Sequence, residues 1–195
     1  MPYYRLNTLE FIGDETKIAK ALESIKGNHI SGRQYIDFGK IIPIPDGLEI
    51  NLNAISHGIF ELLFYGKEKP DEYDLKMIQD YISIGSLEEI REAGNDAIKI
   101  NTNLINYGFP TWTEWCPSNW RVNSNAYYQS KNANNKISFS TDWNDVLYLM
   151  TTLSLMNPDL KLKYTCSDMT VVKTYLLQNG EICHKEEKQH NWPHE

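Results

Sequence analysis

The sequence predicts an α+β domain: an antiparallel sheet with helices on one of its faces and a helical insertion part-way along the chain. Three observations carry this expectation. Leu160, Leu162, Tyr164 and Cys166 alternate with Lys161, Lys163 and Thr165, the period-two pattern of a strand with one face in the core and one in water. Ile18, Ala21, Leu22 and Ile25 recur at the i, i+3, i+4, i+7 spacing of an amphipathic helix, and Val146, Leu147, Met150 and Leu153 form a second apolar helical face. The order strand, helix, strand, insertion, strand, helix, strand fits a split β-α-β pattern, extended by a C-terminal hairpin.

Taken in order, residues 5–12 read as the first strand, with Leu6, Leu9 and Phe11 as its apolar members. Gly13-Asp14 breaks it. The Asp14 carboxylate can accept the free N–H groups of the next turn, so a helix is expected over 14–26, stopped by Gly27. Residues 35–45 read as extended. Pro43 and Pro45 lack an N–H and bias the residue before each away from helix, which predicts a short strand leaving the sheet. From about 51 to 106 the period turns helical. Leu52, Ile55, Ile59, Leu62 and Leu63 mark one helix, and Leu75, Ile78 and Ile82 a second. Ser86-Leu87-Glu88-Glu89 is a capping-box pattern that opens a third, carrying Leu87, Ile90, Ala97 and Ile98. Residues 107–128 are dense in Trp, Tyr, Pro and Asn. Pro110 and Pro117 disfavour continuous helix there, so a loop leading into strand is expected. Ile137 and Phe139 mark a short strand, Asp142 is expected to cap a helix over 143–156, and Asn157-Pro158 stops it. Ser167-Asp168 turns the chain into a strand over 171–177, and Asn179-Gly180 signals a hairpin into a last strand at 181–183. The organisation expected is one domain over 1–183, with an insertion at about 51–106 and a polar tail at 184–195.

Charge and cysteine usage narrow the function classes. Lys+Arg total 19 against Asp+Glu 26, a net charge of −7, with no run of basic residues, so the chain has no global pull toward phosphate backbones. Nucleic acid is therefore the less favoured partner. Cys116, Cys166 and Cys183 are an odd number without CxxC spacing, which argues against a disulfide framework and a zinc ribbon. The first residues lack a basic stretch followed by an apolar one, and no apolar run approaches the roughly 18 residues a bilayer requires. A cytoplasmic protein with no membrane partner is expected. No phosphate-cradling loop, dinucleotide fingerprint, HExxH or GxSxG occurs, so no cofactor and no catalytic set are expected.

Two stretches carry a resemblance. Asp37-Phe38-Gly39-Lys40-Ile41-Ile42-Pro43-Ile44-Pro45 is followed, after the helical insertion, by Trp115-Cys116-Pro117-Ser118-Asn119-Trp120-Arg121-Val122-Asn123-Ser124-Asn125-Ala126-Tyr127. Together they resemble the YubB-type ferredoxin-like family of bacteriophages and conjugative plasmids, over roughly residues 5–45 and 107–183. The resemblance implies a ferredoxin-like sheet and a mobile-element setting in the cytoplasm of a host cell, with no established activity. Arg121 stands where the family has Gly, and Ser124 where it has a second Trp.

The richest constellation is Trp112, Trp115, Asn119, Trp120, Arg121, Asn123, Asn125, Tyr127 and Tyr128, with Trp143 at the following helix entry. Large rings with polar handles suit stacking or a protein hot spot, and Arg stacks on rings or binds an anion bidentately. The competing reading makes the tryptophans core. A non-enzymatic binding module engaging a host protein is the function expected, with interference in host defence as one form of it. Two alternatives stand beside it. Tyr164, Tyr175 and the Trp cluster can stack single-stranded nucleic acid on the sheet. Cys116, Asp142 and His57 can serve an unrecognised active site. His184, His190 and His194 sit among glutamates, but their spacing matches no metal-ligand signature, and no metal is expected.

Overall fold

The computed structural model describes residues 4–28, 34–50, 54–64, 87–168 and 170–189, with scattered positions between 72 and 85. The chain divides into two compact units, one formed by Met1–Pro43 with Cys116–Glu195 and the other by Ile44–Trp115. The second unit contains the segment expected as a helical insertion at about 51–106.

The first unit is α+β. Its strands are β1 (Tyr4–Ile12), β2 (Tyr127–Ala133), β3 (Lys136–Asp142), β4 (Lys161–Ser167), β5 (Val171–Gln178) and β6 (Glu181–Gln189). They form one antiparallel sheet in the order β2-β3-β1-β4-β5-β6. The registers fix what each face carries. Leu9 opposes Ile137 and Tyr164, Asn7 opposes Phe139 and Cys166, Phe11 opposes Leu162, and Tyr164 opposes Tyr175, all buried. The other face carries Leu6, Thr8, Ser138, Thr165 and Thr174. There the Thr8 and Ser138 hydroxyls lie 3.2 Å apart, as do those of Thr165 and Thr174. Leu6 is 55% exposed. It was expected among the apolar members of β1, but the period of two turns it outward and Asn7 inward.

Helix α1 (Glu15–Ser24) starts at Asp14, whose carboxylate accepts from the backbone N–H of Thr16 at 3.0 Å and Lys17 at 3.1 Å. Ile18, Ala21 and the following Ile25 are buried. Ile18 and Leu22 share a cavity wall with Phe11 and Ile137, which places α1 on the core face of the sheet. The other sheet helix, Leu147–Met156, covers the same face over β4 and β5, with Leu149, Met150 and Leu153 inward. Its cap is not Asp142. Val146 is the capping residue and has no side-chain cap bond; its N–H is taken by the Tyr164 hydroxyl at 3.0 Å. That hydroxyl donates to Asn7 Oδ1 at 2.7 Å, and Asn7 Nδ2 donates to Thr141 Oγ1 at 2.9 Å. This buried chain of polar groups ties the helix entry to three strands, and each member has a partner, as burial demands.

Residues 35–45 do not form the expected strand. One 3₁₀ turn, Phe38–Lys40, occurs there, capped by Asp37. Side chains replace a neighbouring strand. Gln129 Oε1 accepts from Ile36 N at 2.8 Å while its Nε2 donates to Ile36 O at 2.9 Å. Asn125 Oδ1 accepts from Phe38 N at 3.0 Å. At the far end of the sheet, Asn179 (φ 51°) and Gly180 (φ 79°) make the expected hairpin turn. The strand after it is longer than expected. β6 pairs with β5 as far as Gln189, so residues 184–189 are an edge strand and not a tail. Every residue of β6 is exposed.

In the second unit, α2 (Ala54–Phe64) and α3 (Leu87–Tyr107) are helical. Phe60, Ala97 and Ile100 form their core, with Ile59 and Leu104 against it. Leu87 and Ile98, expected among the apolar marks of α3, are exposed, while Ala93 and the expected Ala97 are buried. Asn103 is nearly fully buried and donates to the carbonyls of Gly47 at 2.8 Å and Pro110 at 3.0 Å. The expected marks at Leu52, Ile78, Ile82 and Ser86 lie outside the described residues, and so do His190 and His194. Among the described residues, no helix is long and apolar enough to cross a membrane.

Candidate functional site

The aromatic segment begins as a helix, α4 (Trp112–Asn119), and not as the loop expected from its prolines. Thr111-Trp112-Thr113-Glu114 has the T-x-x-E pattern of a helix start. Thr111 Oγ1 accepts from Thr113 N at 3.3 Å and bonds the Glu114 carboxylate. Pro110 precedes the helix, where it does no harm, and Pro117 falls in its second half. Trp112 and Trp115 belong to the second unit, where Trp112 N donates to Leu48 O at 2.9 Å. Asn119 closes the helix and is half-buried.

Several residues expected to contact a partner are structural. Trp115 is buried. Trp120 is 2% exposed; its indole N–H donates to Ile42 O at 2.9 Å, and its ring meets Phe38 edge-on at 5.8 Å. Asn125 Nδ2 donates to Asp37 Oδ1 at 2.7 Å, while its Oδ1 holds Phe38 N. None of the three presents a face to a ligand, because burial and internal bonds use up both ring and amide. Tyr127 donates its hydroxyl to Asp142 Oδ1 at 2.8 Å, and Ser124 donates to Asp142 Oδ2 at 3.0 Å. Burial and the carboxylate beside it push the Tyr127 phenol up to about 12. Asn123 is exposed.

Arg121 and Trp143 differ from these. Both are exposed, and both adopt left-handed backbone, with φ 68° and 59°. That conformation is strained for any residue with a Cβ. The site around them is a groove of about 510 Å³ walled by Arg5, Arg121, Asn144, Asp145, Tyr148 and Ile182. Two bonds lock its rim. Arg5 Nε donates to Trp143 O at 2.8 Å, and Asn144 Nδ2 donates to Arg121 O at 2.9 Å. Trp143 is 58% exposed, Tyr148 55% and Ile182 48%. Among the described residues, the Arg121 guanidinium has no hydrogen bond or ion pair, whereas Arg5 is held by Asp168 at 2.7 Å. The groove thus joins the Arg121 cation to the exposed Tyr148 ring, and the backbone at Arg121 and Trp143 is held by side-chain bonds. Arg5, Tyr148 and Ile182 were not anticipated. Tyr148 is the only one that a helical wheel can assign to the outer face, since Leu149, Met150 and Leu153 point in.

The residues weighed for other activities fall elsewhere. Tyr164 and Tyr175 stack on each other, 6.1 Å between centroids, on the covered face of the sheet, so neither can stack a base. Burial pushes the Cys116 thiol up to about 11, which keeps it protonated near neutrality. Asp142 is engaged by Ser124 and Tyr127. His57 lies in the second unit, exposed, with Glu61 at 3.9 Å.

No family model matches the chain, and no curated protein sequence does either. Among solved structures the chain is similar to protein api92 from Yersinia pseudotuberculosis, assigned to the family-model DUF1281. The identity is 9%, the match covers 96% of this chain and 98% of that one, and the TM-score is 0.44.

Proposed function

We propose that this chain is a non-enzymatic binding module that engages a partner protein through the groove around Arg121, Trp143 and Tyr148. The observation that carries the reading is the pair of left-handed residues at its rim, both exposed and both locked by side-chain bonds. Strain retained at exposed large side chains is explained more readily by recognition than by folding, because glycine at either position would relieve it. Exposed Trp, Tyr and Arg are also the residues that concentrate binding energy at protein interfaces.

The sheet supports a ferredoxin-like reading of the first unit. β2-β3-β1-β4 with α1 inside the β1–β2 connection and Leu147–Met156 between β3 and β4 is a split β-α-β arrangement, and β5 and β6 extend it at one edge. The left-handed backbone at Arg121 adds to the resemblance, since the YubB-type family has Gly at that place and Gly adopts this conformation freely. On that resemblance the setting is a bacteriophage or conjugative plasmid, the location a host cytoplasm and the partner a host protein, with a defence component as one candidate.

A pulldown from bacterial lysate with the wild type and a Trp143→Ala, Tyr148→Ala double variant tests the reading. Both rings are more than half exposed, so the variant should keep its far-UV CD spectrum. One protein retained by the wild type and lost by the variant is the expected result. Equal retention by both would place the contact elsewhere.

A further inference from the structure

We infer that the groove takes a short acidic segment of the partner, an Asp or Glu next to one large apolar residue, and this rests on the binding-module reading above. Charge complementarity sets the acidic half. Of the two arginines in the wall, Arg5 is already neutralised by Asp168 at 2.7 Å. Among the described residues, Arg121 is not. A carboxylate on the partner would give that guanidinium the planar two-oxygen acceptor its geometry suits. Asp145, the one carboxylate in the wall among the described residues, accepts from Leu147 N at 3.3 Å at the helix start. A basic segment would leave Arg121 facing like charge. The exposed side chains of Tyr148 and Ile182, both in the wall, set the apolar half. The volume of about 510 Å³ lies within the roughly 300–1,000 Å³ range of binding clefts, enough for a few side chains and too small for a whole helix.

The left-handed backbone supplies a clean variant. Arg121→Gly removes the guanidinium while suiting φ 68° better than arginine does, so loss of binding in it cannot be ascribed to unfolding. The full chain is panned against random twelve-residue peptides displayed on phage, and the consensus peptide is synthesised and titrated. The expected consensus has Asp or Glu beside an aromatic or branched aliphatic residue. Its affinity should fall at least tenfold in Arg121→Gly, with melting temperature no lower than the wild type. Arg121→Glu should select peptides with Lys or Arg in place of the acid. A consensus without an acid, or one that binds Arg121→Gly as well as the wild type, overturns the inference and leaves the binding module standing. Failure to enrich any peptide also overturns it, and the lysate pulldown then decides the broader reading separately.

Discussion

Trp120 and Arg121 are neighbours with opposite roles, and substitution should separate them. Trp120→Ala removes a ring that is 2% exposed and leaves Ile42 O without its donor at 2.9 Å, so it should cost about 3–5 kcal/mol, read as a lowered urea midpoint. Arg121→Gly should do the reverse and raise stability by about 1 kcal/mol, since the left-handed region at φ 68° costs a residue with a Cβ about that much. If Trp120→Ala leaves the midpoint within error, the ring is not the packing element its burial makes it. The sequence holds no marker that separates the two. Both are large residues with polar ends in an aromatic stretch, and which one turns inward depends on Phe38, remote along the chain, meeting the Trp120 ring.

At the scale of elements, the cap at Thr111 is the test. Thr111→Ala should cost about 1 kcal/mol and speed hydrogen exchange at Trp115 N, which is bonded to Thr111 O at 3.2 Å. Unchanged exchange at that amide would show that α4 is held by packing alone. Elements with strong local signals were legible: β4 from its alternation, α1 from Asp14, and the β5–β6 turn from Asn179-Gly180. Elements decided by distant partners were not. β2 has a polar sequence, YYQSKNA, and is a strand because β3 offers it an edge. The far half of β6 is charged on both faces and pairs with β5 without burying anything. Residues 35–45 have extended-chain composition, yet no strand lies beside them, because the Gln129 and Asn125 side chains supply the bonds that a strand would. Of the candidate site, Arg121 and Trp143 stand in the sequence among large residues of which others, such as Trp120, are buried, while Arg5 and Ile182 join Arg121 only through the order of the sheet.

Across the whole molecule, acid should weaken the first unit through one carboxylate more than others. The backbone N–H groups of Thr170 and Val171, the Thr170 hydroxyl and the Arg5 guanidinium hold Asp168 well below the usual carboxylate range. Its folded-state affinity for a proton is lower than in the unfolded chain. Its contribution is therefore fully present above the unfolded value near pH 4 and is lost as pH falls below it. Asp168→Asn should be less stable than the wild type at pH 6 in urea titrations, with the gap narrowing at pH 3; a gap independent of pH would sink this assignment. The sheet order bears on synthesis as well. Leu9 in β1 packs between Ile137 of β3 and Tyr164 of β4, both translated long after it, with all of residues 44–115 made in between. A chain leaving the ribosome amino end first exposes the apolar side of β1, Leu9 and Phe11, with neither neighbouring strand yet in existence. Closing so long a loop adds little to the equilibrium cost, about 0.6 kcal/mol for each doubling of length, but non-local pairing is slow. The wait falls on the nascent chain, which holds an unpaired, half-apolar strand until β3 has emerged and one open edge of it until β4 follows.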